Sequence, residues 1–161
     1  MDTPGKTLAP GNITRAGDAL RGRGLHGGRA AAVCFRPAGP GAGLTFVRED
    51  LGPRARIPVS LDSAEPRPRH TCLRAGGVRV ATVEHVLSAL HGLSIVDGEV
   101  WVDGPEVPIL DGSARLLLAA LRPLVDYPRR AVGMAWSMTG PVHGVDGAGE
   151  CWLVPAPELE L

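Results

Sequence analysis

Val78-Arg79-Val80-Ala81-Thr82-Val83-Glu84-His85-Val86-Leu87-Ser88-Ala89-Leu90-His91-Gly92 changes its hydrophobic period part-way along. Val78 to Ala81 is a short β-favouring run. From Val83 onward the apolar residues Val83, Val86, Leu87 and Leu90 fall at near-helical spacing. The stretch therefore reads as a strand feeding a helix, with Thr82 as N-cap and Gly92 closing the last turn.

Working outward, Glu99 to Val102 alternates polar and apolar like a half-buried strand, and Asp103-Gly104-Pro105 turns it. A second helix follows, capped by Asp111 or Ser113, with Leu116, Leu117, Ala120, Leu121 and Leu124 as its buried stripe and Pro128 forbidding continuation. Upstream, Ala30 to Phe35 and Leu44 to Val47 read as strands around the Pro/Gly turn from Pro37 to Gly43, with Ile57 to Leu61 as a third. Ala131 to Trp136 and Cys151 to Val154 read as strands separated by a Gly-rich loop from Gly140 to Gly149. Strands interleaved with two helices predict an α+β two-layer sandwich, one mainly antiparallel sheet packed against a helix pair.

The composition bounds the function. The chain has 161 residues, 44% of them hydrophobic, enough for one buried core. Lys+Arg and Asp+Glu are 17 each, so nothing marks a nucleic-acid or anionic-membrane binder. Cys34, Cys72 and Cys151 are odd in number and widely spaced, which argues against a disulfide framework and a cysteine-rich metal site. With no apolar signal core and no run approaching the length of a transmembrane segment, the expected setting is the cytoplasm.

Chemistry is carried by Glu84-His85, at the start of the first helix. The positive end of a helix dipole favours a carboxylate and disfavours an imidazolium, which suits a general base beside a metal ligand. The same pair has a plainer reading, since a Glu in a first turn is ordinary helix-end complementarity and a lone His is most often structural. Gly22, Gly24 and Gly27 match a dinucleotide-binding pattern, but no helix follows them. Asp103, Glu106 and Asp111 stand among prolines and Asp-Gly steps and read as turn carboxylates.

Three strings decide between these readings: Gly24-Leu25-His26-Gly27-Gly28; Val78 to His85 with Leu87, Ala89, Leu90 and Gly92-Leu93; and Asp103-Gly104-Pro105-Glu106-Val107-Pro108-Ile109-Leu110-Asp111-Gly112-Ser113-Ala114. In sequence, order and spacing they resemble three signatures of the bacterial zinc-dependent UDP-3-O-acyl-N-acetylglucosamine deacetylases of lipid A synthesis, over roughly Ile13 to the C-terminus. The resemblance implies a two-layer domain like domain 2 of ribosomal protein S5, with a small β insert. It further implies zinc-activated hydrolysis of the substrate's acetamide, with Glu84 as general base and His85 as one zinc ligand. His26, His70, Thr71 and Cys72 match the family's glycine signature and channel edge and are expected to line the substrate site.

The family's other zinc ligands lie in a His-Lys-x-x-Asp motif of a second domain. His143-Gly144-Val145-Asp146 is one residue short of that spacing and reads as loop; His91, six positions past His85, faces away from it. The expected organisation is a flexible segment 1–12, the deacetylase N-terminal domain over 13–150, and at 151–161 the start of a strand leading to an absent second domain. Where the family has an Ile-Asp-Asn step, this chain has Ile95-Val96-Asp97-Gly98, and Arg67-Pro68-Arg69-His70 also departs from the pattern.

The expected function is half of the deacetylase active site, completed by a second polypeptide, acting on UDP-3-O-acyl-N-acetylglucosamine. The alternative is a noncatalytic module of the same fold that binds a sugar nucleotide or an acyl chain. A nucleic-acid-binding role, suggested by the ribosomal-type fold, is opposed by the zero net charge.

Overall fold

A nine-residue strand, β9 (Ile95–Asp103), organises the molecule described by the computed structural model. The structure describes residues 10–127, 138–147 and 149–156. They fall into two compact units, Met1–Ala131 and Val132–Leu161.

In the first unit the strands are β1 (Gly11–Ile13), β2 (Leu20–Arg23), β3 (Ala30–Arg36), β4 (Leu44–Arg48), β5 (Arg56–Pro58), β6 (Ala64–Glu65), β7 (Cys72–Ala75), β8 (Val78–Ala81), β9 and β10 (Val125–Asp126). Helix α1 (Glu84–Gly92) precedes β9 and α2 (Arg115–Leu121) follows it. Along β9 the side chains alternate as the sequence predicts: Val100 and Val102 are buried, while Glu99, Trp101 and Asp103 face outward. The strand pairs antiparallel with β3, from Ala32↔Asp103 to Arg36↔Glu99. It pairs parallel with β4, from Leu44↔Gly98 to Arg48↔Val102, and parallel with β1 near its start.

The α+β class holds, and the seven-stranded sheet is mainly antiparallel but mixed, with β9 parallel to β4 and β1. The reason is topological. Between β4 and β9 the chain crosses over through the separate three-stranded sheet β6-β7-β8 and then α1, and it returns parallel to β4. The two helices pack on one another and close over the sheet: Val86, Ala89 and Leu90 of α1 and Leu117 and Leu121 of α2 join Val33, Phe35, Phe46, Val100 and Val102 in a single core. Burying each of those leucines is worth about 1.5–3 kcal/mol.

Several local expectations are corrected. Thr82 does not cap α1; Val83 is the residue before the helix, without a side-chain cap. Gly92 is the last helical residue, and the left-handed position after the helix is Ser94, at φ 53°. The third strand is shorter than Ile57 to Leu61, because the chain leaves β5 after Pro58 and Ser60 caps a one-turn 3-10 helix from Leu61. In α2, which starts at Arg115, the stripe is Leu117, Leu121 and then Leu124, whereas Leu116, about 100° round the helix from Leu117, is 36% exposed. Ala114 occupies the N-cap position, though the Ser113 hydroxyl still accepts the Arg115 amide at 3.2 Å. The helix ends at Leu121, where a 3-10 turn carrying Pro123 takes over. The stop at Pro128 and the strand at Ala131 to Trp136 lie outside the described residues.

In the second unit, β11 (Val142–Asp146) and β12 (Gly149–Leu153) form an antiparallel hairpin. The loop predicted over Gly140 to Gly149 therefore contains a strand. Cross-strand pairing of His143 with Trp152, their rings stacked 3.9 Å apart, outweighs the turn preference of the glycines.

Candidate active site

Helix α1 starts where β8 ends, and the junction places Glu84 and His85 in the first helical turn. Glu84 is half-buried and its Oε2 accepts the Thr71 amide at 3.0 Å; the Thr71 carbonyl in return accepts the Val83 amide at 3.3 Å. Thr71 and Glu84, 13 residues apart in sequence, are thereby fixed to one another. His85, also half-buried, is the next helical residue.

His70, next to Thr71, lies with its ring centroid 4.5 Å from that of His26, and its Nδ1 is 3.1 Å from the Pro68 carbonyl. The two histidines, with Gly27, Arg67, Arg79 and Glu106, line a cleft of about 300 Å³. Cys72 behaves differently from its neighbours. It is 1% exposed, paired in the sheet with Ala81, and burial pushes its thiol pKa up, so the side chain belongs to the interior and not to the cleft lining. The structure thus brings His26, His70, Thr71 and Glu84 into one region and buries the Cys72 thiol.

A residue read from sequence only as a turn carboxylate sits at the centre. Glu106 is 6% exposed; its Oε1 accepts the His26 amide at 2.8 Å and the Thr82 hydroxyl at 3.0 Å, and its Oε2 accepts the Gly27 amide at 2.7 Å. Burial alone would raise its pKa, but these donors outweigh it and hold the carboxyl below its ordinary value. The three sequence strings therefore meet at one carboxylate. Glycine is required opposite it, since a Cβ on Gly24 would lie 2.3 Å from Glu106 Oε2. The sequence signal was present in the fixed spacing of the strings, but no local pattern says that a turn residue will reach 80 positions back along the chain.

Thr82 is the strained member of the group. It holds φ at 59°, a left-handed conformation that costs a β-branched residue about 1–3 kcal/mol and persists only where the surroundings over-determine it. Its neighbour Ala81 is clamped to the Glu106 segment, donating to the Pro105 carbonyl at 2.9 Å and accepting the Val107 amide at 3.1 Å.

The same geometry disposes of the decoys. Gly22 lies in β2, and Gly24 and Gly27 lie in the turn to β3 with no helix after them, so the dinucleotide reading fails on structure as well. His91 is exposed near the end of α1. His143 stands on β11 with Nε2 3.4 Å from Glu150 Oε2. Among the described residues no three His, Cys, Asp or Glu side chains gather into a group that could hold a metal ion. No described helix is long and apolar enough to cross a membrane.

Comparison with known proteins bears on what this arrangement is for. The family model for UDP-3-O-acyl N-acetylglycosamine deacetylase, LpxC, matches residues 15–161. The chain belongs to this family. Among named UDP-3-O-acyl-N-acetylglucosamine deacetylases, that of Myxococcus xanthus is 39% identical over 142 residues, covering 88% of this chain and 45% of the relative. That of Thermosynechococcus vestitus is 36% identical over 159 residues, covering 98% of this chain and 56% of the relative. That of Anaeromyxobacter dehalogenans is 54% identical over a shorter stretch of 93 residues, 58% of this chain and 30% of the relative. This LpxC-family chain spans about half the length of the curated relatives it matches or less.

Proposed function

We propose that this chain supplies the Glu84–His85 portion of a zinc-dependent deacetylase that removes the N-acetyl group from UDP-3-O-acyl-N-acetylglucosamine in lipid A synthesis. The observation that carries the reading is the fixed carboxylate at the start of α1. The Thr71 amide holds Glu84 Oε2 at 3.0 Å, beside an imidazole one residue on, in a chain of the deacetylase family. Glu84 takes the proton of a water that attacks the acetamide carbonyl and then delivers it to the leaving amine. His85 contributes one nitrogen to the metal. Zinc, when bound, supplies Lewis acidity to the attacking water and the carbonyl.

The donor set is incomplete among the described residues, so the reading assigns the remaining ligands to a second polypeptide or domain that joins this one. In the same reading residues 13–150 are the deacetylase N-terminal domain, related in fold to domain 2 of ribosomal protein S5 with β6-β7-β8 as its β insert, 151–161 lead toward the second domain, and the protein works in the cytoplasm. The cleft beside Glu84 takes the substrate. His26 and His70 form its wall, Thr71 joins His70 to Glu84, Cys72 is buried next in the chain, and Arg67 and Arg79 give the cleft positive charge toward an anionic group.

The test is reconstitution. The 161-residue chain, mixed with the second half of the Myxococcus xanthus relative and zinc, is expected to release acetate from the substrate. Glu84→Gln is expected to lower that rate by at least about 100-fold, the scale of a lost general base. Absence of turnover from two folded halves that bind each other, or full turnover with Glu84→Gln, overturns the proposal.

A further inference from the structure

The turn between β8 and α1 directs the proposed base and ligand, and it hinges on Thr82. On one side of Thr82 the chain is clamped through Ala81 to the segment carrying Glu106; on the other the Val83 amide reaches the Thr71 carbonyl and Glu84 reaches the Thr71 amide. Between these clamps Thr82 holds φ at 59°, where a β-branched side chain is disfavoured. Among the described residues, its hydroxyl donates its side-chain hydrogen bond to Glu106 Oε1, 24 positions away and buried.

We propose that Glu106 is a positioning residue for Glu84 and His85: by holding Thr82 in the left-handed conformation it sets the angle at which the chain enters α1, and hence where the base and the imidazole point. The chemistry of the contact explains why a carboxylate stands there. Among the described residues three donors and no acceptor converge on it, the amides of His26 and Gly27 and the hydroxyl of Thr82. A glutamine would turn its own NH2 toward one of those donors. The same contacts tie the glycine turn carrying His26 to the start of α1, so one group sets both the cleft wall and the base. The functional meaning rests on the deacetylase reading; the coupling itself does not.

Amide hydrogen exchange on the 161-residue chain tests it without turnover. In Glu106→Ala, exchange at the Thr71 and Val83 amides is expected to speed up by at least about tenfold relative to the change seen at Val100 in the core. Glycine adopts positive φ without help, so adding Thr82→Gly to Glu106→Ala should return Thr71 protection to within about threefold of the Thr82→Gly single variant. A carboxylate that merely supports the fold would show no such rescue, because Thr82→Gly adds no contact. If Glu106→Ala does not fold, Glu106→Gln with and without Thr82→Gly makes the same comparison with a smaller loss. Unchanged Thr71 protection in the Glu106 variant, or no rescue by Thr82→Gly, overturns the proposal. Failed reconstitution with Thr71 protection still dependent on Glu106 instead sinks the deacetylase reading and leaves the positioning role standing.

Discussion

Gly24→Ala would place a methyl carbon 2.3 Å from Glu106 Oε2, 2.6 Å from its Cδ and 3.1 Å from its Cγ. Normally the far end of a glutamate side chain would swing aside. Here it is pinned by three hydrogen bonds of 2.7–3.0 Å from His26, Gly27 and Thr82. Relieving the overlap needs a movement of about 1 Å, enough to break at least one bond to a charged group, worth about 1.5–3 kcal/mol. Overpacking of the buried glycine itself sits in the range of about 1–3 kcal/mol, part of which is the same displacement. The expected loss of unfolding free energy is therefore about 2–4 kcal/mol, read by urea denaturation of the chain. That cost comes from the pinned carboxylate, so a double-mutant cycle decides it. In a Glu106→Ala background the three atoms nearest the added methyl are gone, and Gly24→Ala should cost less than about 0.5 kcal/mol, giving a coupling of about 2 kcal/mol. A small cost in the wild-type background, or the full cost surviving in the Glu106→Ala background, would refute the reasoning.

Other perturbations probe separate parts of the structure. Gly98→Ala would put a Cβ 2.5 Å from Ile13 Cδ1 where β1 meets β9, and should destabilise the chain by about 1–3 kcal/mol in the same assay. Asp50, through its hydrogen bond to the buried Arg48, and Glu106, where backbone and hydroxyl donors offset burial, both have pKa values lowered by folding. Their stabilisation is complete above the unfolded carboxylate value, roughly pH 4–4.5, and is lost as pH falls through the lower folded values. Glu106→Gln should therefore flatten the acid limb of a stability-against-pH curve, and an unaltered limb would contradict the assignment. Burial raises the thiol pKa of Cys34 and Cys72, whereas Cys151 is exposed. A native-state thiol titration should label one cysteine rapidly and the other two only on unfolding; rapid labelling of Cys72 would mean that the β6-β7-β8 sheet opens.

Much of the fold was legible locally. The change of period between Val80 and Val86 marks the strand-to-helix step, and the alternation from Glu99 to Val102 marks the central strand, because burial of one face leaves a direct imprint on the residues that make it. Short strands were not legible. Gly11–Ile13 is held by β9 and β10 far along the chain, Leu20–Arg23 by the neighbouring β3, and both have too little hydrophobic pattern of their own. The hairpin at Val142–Leu153 was hidden for a related reason: its glycines signal a turn, and pairing across the strands overrides that signal.

By itself, the sequence determined the deacetylase family, the α+β class and the candidate pair Glu84 and His85, since these depend on residue identity and short-range spacing. Tertiary structure alone decided that Thr82 is a strained hinge instead of a helix cap, that the Cys72 thiol lies inside, and that Glu106 is the group joining the three strings. Each of these is settled by which donors, acceptors and side chains meet across long separations. Hydrogen bonds to a buried carboxylate, with the free energy they contribute, exist only once folding has brought its partners within 3 Å.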